Sequence, residues 1–203
     1  REGSLFSFTC FTLAAVLVQE RVTVAQARLP VNVRPPVMLP PLSATSRAAG
    51  GALYLLYTND DQRQQLIDNP ALIPDALEEC LRLGSNGYFT FPRVALKDTE
   101  VGGTRILKGM VVRPSPLSPN YDPDVFPDPL RFDIHRKPKR ILSFGAGPHH
   151  CIGNILGRTA ITIAITRLLA RFPKAHISEP NFTPVYGGAV GELRLQRLPM
   201  RTH

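Results

Sequence analysis

The residues best able to do chemistry lie together in Phe144-Gly-Ala-Gly-Pro-His-His-Cys151-Ile-Gly153, which runs straight into an apolar helical stretch. A cysteine at a helix N-terminus gains from unpaired backbone N–H groups and from the helix dipole, which favour its thiolate. Gly145, Gly147 and Gly153 let the backbone pass close to something bulky and flat. Such a sulfur can serve as nucleophile, redox centre or metal ligand. The plain alternative is a small buried hydrophobe. His149 and His150 abut the cysteine. Three adjacent residues do not easily converge on one ion, and zinc spacings such as Cys-x-x-Cys are absent.

Other charged residues have plain readings of their own. Glu79 and Arg82 stand three apart on a helix and so share a face. Spacing alone makes them an exposed ion pair of little energetic worth. The run from His135 and Arg136 to Arg140 is a solvated basic face or a nucleic-acid patch. No aromatic residues interleave it for base stacking. Gly50-Gly51 and Gly102-Gly103 lack the spacing of a phosphate-binding loop. Arg93, after Phe91-Pro, reads as a strand-edge charge.

Together the motifs resemble the cytochrome P-450 family. Phe144, Gly147, Cys151 and Gly153 fill its Phe-x-x-Gly-x-x-x-Cys-x-Gly signature, and His149 sits where many bacterial members carry a haem-propionate contact. Glu79-Cys-Leu-Arg82 is similar to the family's Glu-x-x-Arg, and Pro129-Leu-Arg131-Phe132 to its Pro-x-Arg-Phe element. The resemblance implies that Cys151 is the axial thiolate of haem b (iron protoporphyrin IX). It implies that Arg93 and His149 anchor propionates, and that Glu79, Arg82 and Arg131 form a structural lock. It implies a monooxygenase that inserts one oxygen atom from O2 into a small lipophilic substrate, with electrons from an acidic ferredoxin-type donor. The Gly50-Gly-Ala-Leu and Arg131-Phe-Asp133-Ile-His-Arg136 stretches are closest to soluble bacterial members.

The resemblance has gaps. Where the family's central helix carries an acid or amide followed by Thr, this chain reads Leu42-Ser-Ala-Thr45-Ser46-Arg47. Thr45 fits the alcohol position, but Ala44 precedes it, and Thr45 or Ser43 is equally a helix cap. Residues 1–41 match nothing in the family. The alternatives are therefore a truncated haem-binding remnant without turnover and, from another class, a basic nucleic-acid module.

These residues need elements to hold them. The fold class expected is mainly α with small β-sheets, the C-terminal part of the cytochrome P-450 fold, over residues 42–203. Prolines punctuate residues 1–41, an unplaced lead-in with room for a helix over 12–27. Helices are expected over 43–57, over 61–68 with Asn59 or Asp60 as cap, and over 71–83 ended by Gly84. Phe89, Phe91, Val94 and Leu96, then 106–107 and 110–112, read as short strands with glycine turns between. A long Pro-rich loop covers 114–150. Residues 152–172 form a helix that is apolar on nearly every side and so reads as buried. Short strands gather around Gly187, Gly188 and Gly191, and residues 185–190 are expected to reach the pocket.

Composition fits an ordinary folded chain of 203 residues, 43% hydrophobic and 20% charged. A net charge of +8 favours an acidic partner. Three cysteines are too few for a disulfide framework and point to a reducing compartment such as the cytoplasm. No apolar run reaches the length of a membrane span.

Overall fold

The computed structural model describes residues 5–7, 39–84, 92–138, 140–187 and 194–202. Helix α1 spans Leu39–Tyr57. It begins earlier than expected because Pro40 and Pro41 fall in its first turn, where no N–H is needed. The boundary drawn at residue 41 therefore lies inside a helix. Small residues dominate its inner face: Ala48, Ala49 and Ala52 are buried beside Leu53 and Leu56. They allow close approach, and a Cβ on Gly51 would sit 3.4 Å from the Gly84 carbonyl oxygen.

Helix α2 is Asp60–Asp68, with two acids in its first turn. Asn59 does not cap it through its side chain. That amide instead donates back to the Leu55 carbonyl at 2.8 Å. A 3-10 turn, Pro70–Leu72, opens when Asn69 Oδ1 accepts the Ala71 N–H. Helix α3 then runs over Ile73–Leu83, with Pro74 at its start, and stops at Gly84.

The strands are short and antiparallel. β1 is Leu5–Ser7, β2 Arg93–Val94, β3 Thr99–Val101, β4 Thr104–Ile106 and β5 Val111–Val112. β2 pairs with β5, while β3 and β4 form a hairpin. Both turn residues of that hairpin, Gly102 and Gly103, have positive φ (55° and 76°), as a two-residue turn of matching twist requires. Leu96 is exposed outside any strand, and Phe89 and Phe91 lie outside the described residues.

Among the described residues of the segment 114–150, the helical elements are two 3-10 turns, Ser118–Tyr121 and Gly147–His149. Helix α4 follows over Asn154–Arg171. Its buried residues, Gly157, Ile161, Ala164, Ile165, Leu168 and Leu169, make one stripe at helical spacing. The helix is thus one-faced, not buried all round: Ile155 and Leu156 in its first turn are exposed. The chain ends with β6 (His176–Ile177), β7 (Tyr186–Gly187), β8 (Arg194–Leu195) and β9 (Pro199–Arg201). β7 pairs with β8. β9 lies between β6 and β1, so Leu5–Ser7 of the lead-in joins the C-terminal sheet. The helix suggested over 12–27 and residues 188–190 lie outside the described residues.

One hydrophobic core joins these parts. Leu53 and Leu56 of α1, Leu66 of α2, Leu77 of α3 and Leu169 of α4 meet Phe126, Phe132, Ile134 and Ile141 of the irregular segment and Met200 of β9. The long segment is thus anchored by its own apolar side chains. Among the described residues no helix is long and apolar enough to cross a membrane.

Candidate functional site

Glu79 and Arg82 of α3 are fully buried, not the exposed pair that spacing alone would allow. Arg82 uses its whole guanidinium. Nε and Nη2 donate to the two Glu79 oxygens at 2.7 and 2.8 Å. Nη1 donates to the Asn120 and Pro129 carbonyls, both at 2.7 Å. Nη2 also reaches the Arg131 carbonyl at 3.4 Å. A guanidinium has five N–H donors, and each has an acceptor here.

The second arginine of this lock is Arg136, not Arg131. Arg136 Nε donates to Glu79 Oε1 at 3.1 Å, and its side chain is only 13% exposed. The Arg131 side chain is exposed, and the residue contributes its backbone carbonyl to both Arg82 and Arg136. The turn through Pro129 points Arg131 outward and brings Arg136 back towards α3. The Asp133 N–H adds a fourth donor to Glu79. A carboxylate that has lost its water is tolerated because its lone pairs are occupied in this way. Alone, the sequence made Arg136 part of a solvated basic run.

Asn120 carries the lock onward. It is buried, and its Nδ2 donates to the Arg82 carbonyl and to Ser143 Oγ. Its Oδ1 accepts the Leu142 N–H at 2.8 Å. Ser143 Oγ in turn donates to the Leu81 carbonyl at 2.7 Å. The residues that lead into Phe144 are therefore tied to the C-terminal turn of α3.

The cysteine loop leaves from that anchor. Cys151 N–H donates to the Phe144 carbonyl at 2.9 Å, which closes the loop. The Cys151 carbonyl accepts from both the backbone and the side chain of Asn154, at 3.2 and 2.9 Å. Gly145 and Gly147 hold φ of 71° and 70°, where an L side chain would be strained. Gly153 precedes α4, and a Cβ there would lie 3.7 Å from Cys151 Sγ. His150 Nδ1 faces the Gly145 carbonyl at 3.2 Å, and His149 is exposed.

Cys151 is exposed, against the buried-hydrophobe reading. Ile152 beside it is completely exposed, with Ile155 and Leu156 one turn on. A thiol among bare branched apolar side chains fits a flat apolar ligand laid over them. Among the described residues no three His, Cys, Asp or Glu side chains gather at one point. A metal held by Cys151 would have to bring its remaining ligands with it, as a porphyrin does. The residues present fit a haem.

Arg93 is exposed on β2, and no hydrogen bond or ion pair joins it to residues 144–153. Thr45 is half-buried inside α1, so it is not that helix's cap. A separate cleft of about 280 Å³ lies between α1 and the end of α3, lined by Arg47, Tyr54, Tyr121 and Tyr186 among others. Tyr121 spends its hydroxyl on the Leu83 carbonyl there.

The fold and this loop define a class, and comparison with known proteins agrees. The family model described as cytochrome P-450 matches residues 56–188. The chain is 39% identical over 139 residues to the mycinamicin IV hydroxylase/epoxidase of Micromonospora griseorubida, covering 68% of this chain and 35% of that protein. It is 42% identical over 132 residues to the nocardicin C N-oxygenase of Nocardia uniformis subsp. tsuyamanensis, covering 64% and 33%. Among solved structures, the cytochrome P-450 enzyme CxnD, for C–S bond formation in chuangxinmycin biosynthesis, superposes with a TM-score of 0.74 at 38% identity. That match covers 78% of this chain and 39% of CxnD. The chain belongs to the cytochrome P-450 family. It spans about a third of the length of the curated relatives it matches.

Proposed function

We propose that this chain is the haem-binding part of a bacterial-type cytochrome P-450 monooxygenase, with Cys151 as axial ligand of haem b. The observation that carries the reading is an exposed cysteine, fixed by a closed glycine loop beside bare Ile152, Ile155 and Leu156. A thiolate-bound haem supplies oxygen activation, because the sulfur pushes electron density to the iron and favours O–O cleavage. The protein's part is position and exclusion of water. Phe144, Gly147 and Gly153 hold the sulfur and leave room for the macrocycle. Arg93 and His149 are assigned to the propionates, where cations pair well with carboxylates. Glu79, Arg82 and Arg136 fasten the loop to α3. Thr45, half-buried on α1, is assigned to holding or passing a proton.

The substrate is a small lipophilic molecule, and the electron donor an acidic ferredoxin-type protein. The basic composition favours such a donor, and the cysteine count favours a reducing compartment. A second reading, haem binding without turnover, draws on Ala44, which precedes Thr45 with no acid beside it. The test is to load the chain with haem, reduce it and add carbon monoxide. The thiolate-type absorption band is expected, and Cys151→Ala is expected to abolish it. A wild-type chain that takes up no haem would overturn both readings. Reductant consumption without product over a broad substrate panel would favour the second.

A further inference from the structure

A second charged pair, separate from the Glu79 lock, reaches the cysteine loop. Arg158 of α4 and Glu78 of α3 form a two-pronged ion pair: Nε to Oε1 at 2.6 Å and Nη2 to Oε2 at 3.0 Å. Both side chains are about two-thirds withdrawn from solvent, at 31% and 27% exposed. The Arg158 guanidinium also lies over the Phe144 ring, 4.4 Å from its centroid. That ring lies close on α4 at Gly157, where a Cβ would be 3.7 Å from Cε1. The backbone carbonyl of the same Phe144 accepts the Cys151 N–H.

We propose that Arg158 is a positioning residue for Cys151. The guanidinium is fixed by a core helix through Glu78 and fixes Phe144 by stacking. Phe144 then fixes the cysteine backbone through its carbonyl. The idea rests on the reading of Cys151 as the axial thiolate, and adds what sets that sulfur's direction. An exposed pair would be worth little. This one is planar, bidentate and partly desolvated, and that geometry is where an arginine outperforms a lysine. A lysine offers a point charge and can neither fork onto Glu78 nor stack as a plane on Phe144.

Amide hydrogen exchange on the whole chain, without haem, tests this directly. In Arg158→Ala, exchange at the Cys151 amide is expected to rise about tenfold, as for a hydrogen bond that opens locally. Amides of α3 and of residues 161–169 are expected to stay as in the wild type, and Arg158→Lys not to restore protection. If Arg158→Ala fails to fold, Glu78→Gln keeps the shape and is expected to raise exchange about threefold. In the haem-loaded protein the same variants should lose part of the thiolate-type band. Unchanged Cys151 exchange, full rescue by lysine, or an equal rise throughout α3 would overturn the proposal. Should the wild type lack the thiolate band while the loop responds as expected, the axial-ligand reading falls and the positioning of the loop by Arg158 stands.

Discussion

Glu79 keeps its charge away from water because Arg82, Arg136 and the Asp133 N–H supply four donors. Removing one leaves a buried carboxylate short of a partner. Arg136→Ala should therefore cost about 3 kcal/mol of unfolding free energy, read from urea titration. Arg131→Ala should change it by less than about 0.5 kcal/mol, because that side chain is exposed. Equal losses would contradict the assignment of the lock. Asn120→Ala should cost about 2 kcal/mol, since it orphans the Leu142 N–H and the Arg82 carbonyl. That Glu79 and Arg82 pair was legible because they sit three apart on one helix, but their burial was not, since spacing alone allows an exposed pair. The choice between Arg131 and Arg136 was not, because the intervening turn decides it. The bonding role of Asn120 was illegible for a related reason: its partners lie 22 to 38 residues away.

The helices were legible in type and less so at their ends. Side chains of mixed character hid the reach of α1, which continues back through Pro40 and Pro41. That extension moves Thr45 from cap to interior, a difference made by two prolines that suit a first turn. In α4 the apolar count suggested burial on all sides, yet the packed stripe leaves Ile155 and Leu156 bare. Counting apolar residues overlooks that a ligand, and not protein, can be what an apolar face is for. Helix α3 also buries Cys80, whose thiol is pushed up, first by burial and then by the charge of Glu79. The folded chain keeps that proton where the unfolded thiol, with pKa about 8.5, gives it up. Stability should therefore fall as pH rises through that value, and Cys80→Ala should lessen the fall in urea midpoints between pH 7 and about pH 9.5. Alkylation of the native chain should modify exposed Cys151 and spare Cys80. A Cys80 that reacts as fast as Cys151 would contradict its burial.

At the scale of the molecule, composition established an ordinary folded chain, and the motifs established its family. The class, mainly α with small sheets, was legible because the helical periods are strong and glycine turns separate the short strands. The make-up of the C-terminal sheet was not legible: Leu5–Ser7 pairs with Pro199–Arg201 across nearly the whole chain. The net charge of +8 bears on partners and not on fold. If an acidic donor supplies electrons, its reduction of the haem-loaded chain should slow with added salt. Between ionic strengths of about 0.05 and 0.5 M the drop should reach about tenfold, as attraction over more than a Debye length is screened. A rate indifferent to salt would contradict steering by charge.

The proposed function turns on a bond between the Cys151 sulfur and a haem iron. X-ray absorption at the iron edge of the haem-loaded chain measures it directly. One sulfur neighbour is expected beside the porphyrin nitrogens in the wild type, and none in Cys151→Ala. An iron ringed by nitrogen or oxygen alone in the wild-type protein, with His149 or His150 taking the axial place, would contradict the account.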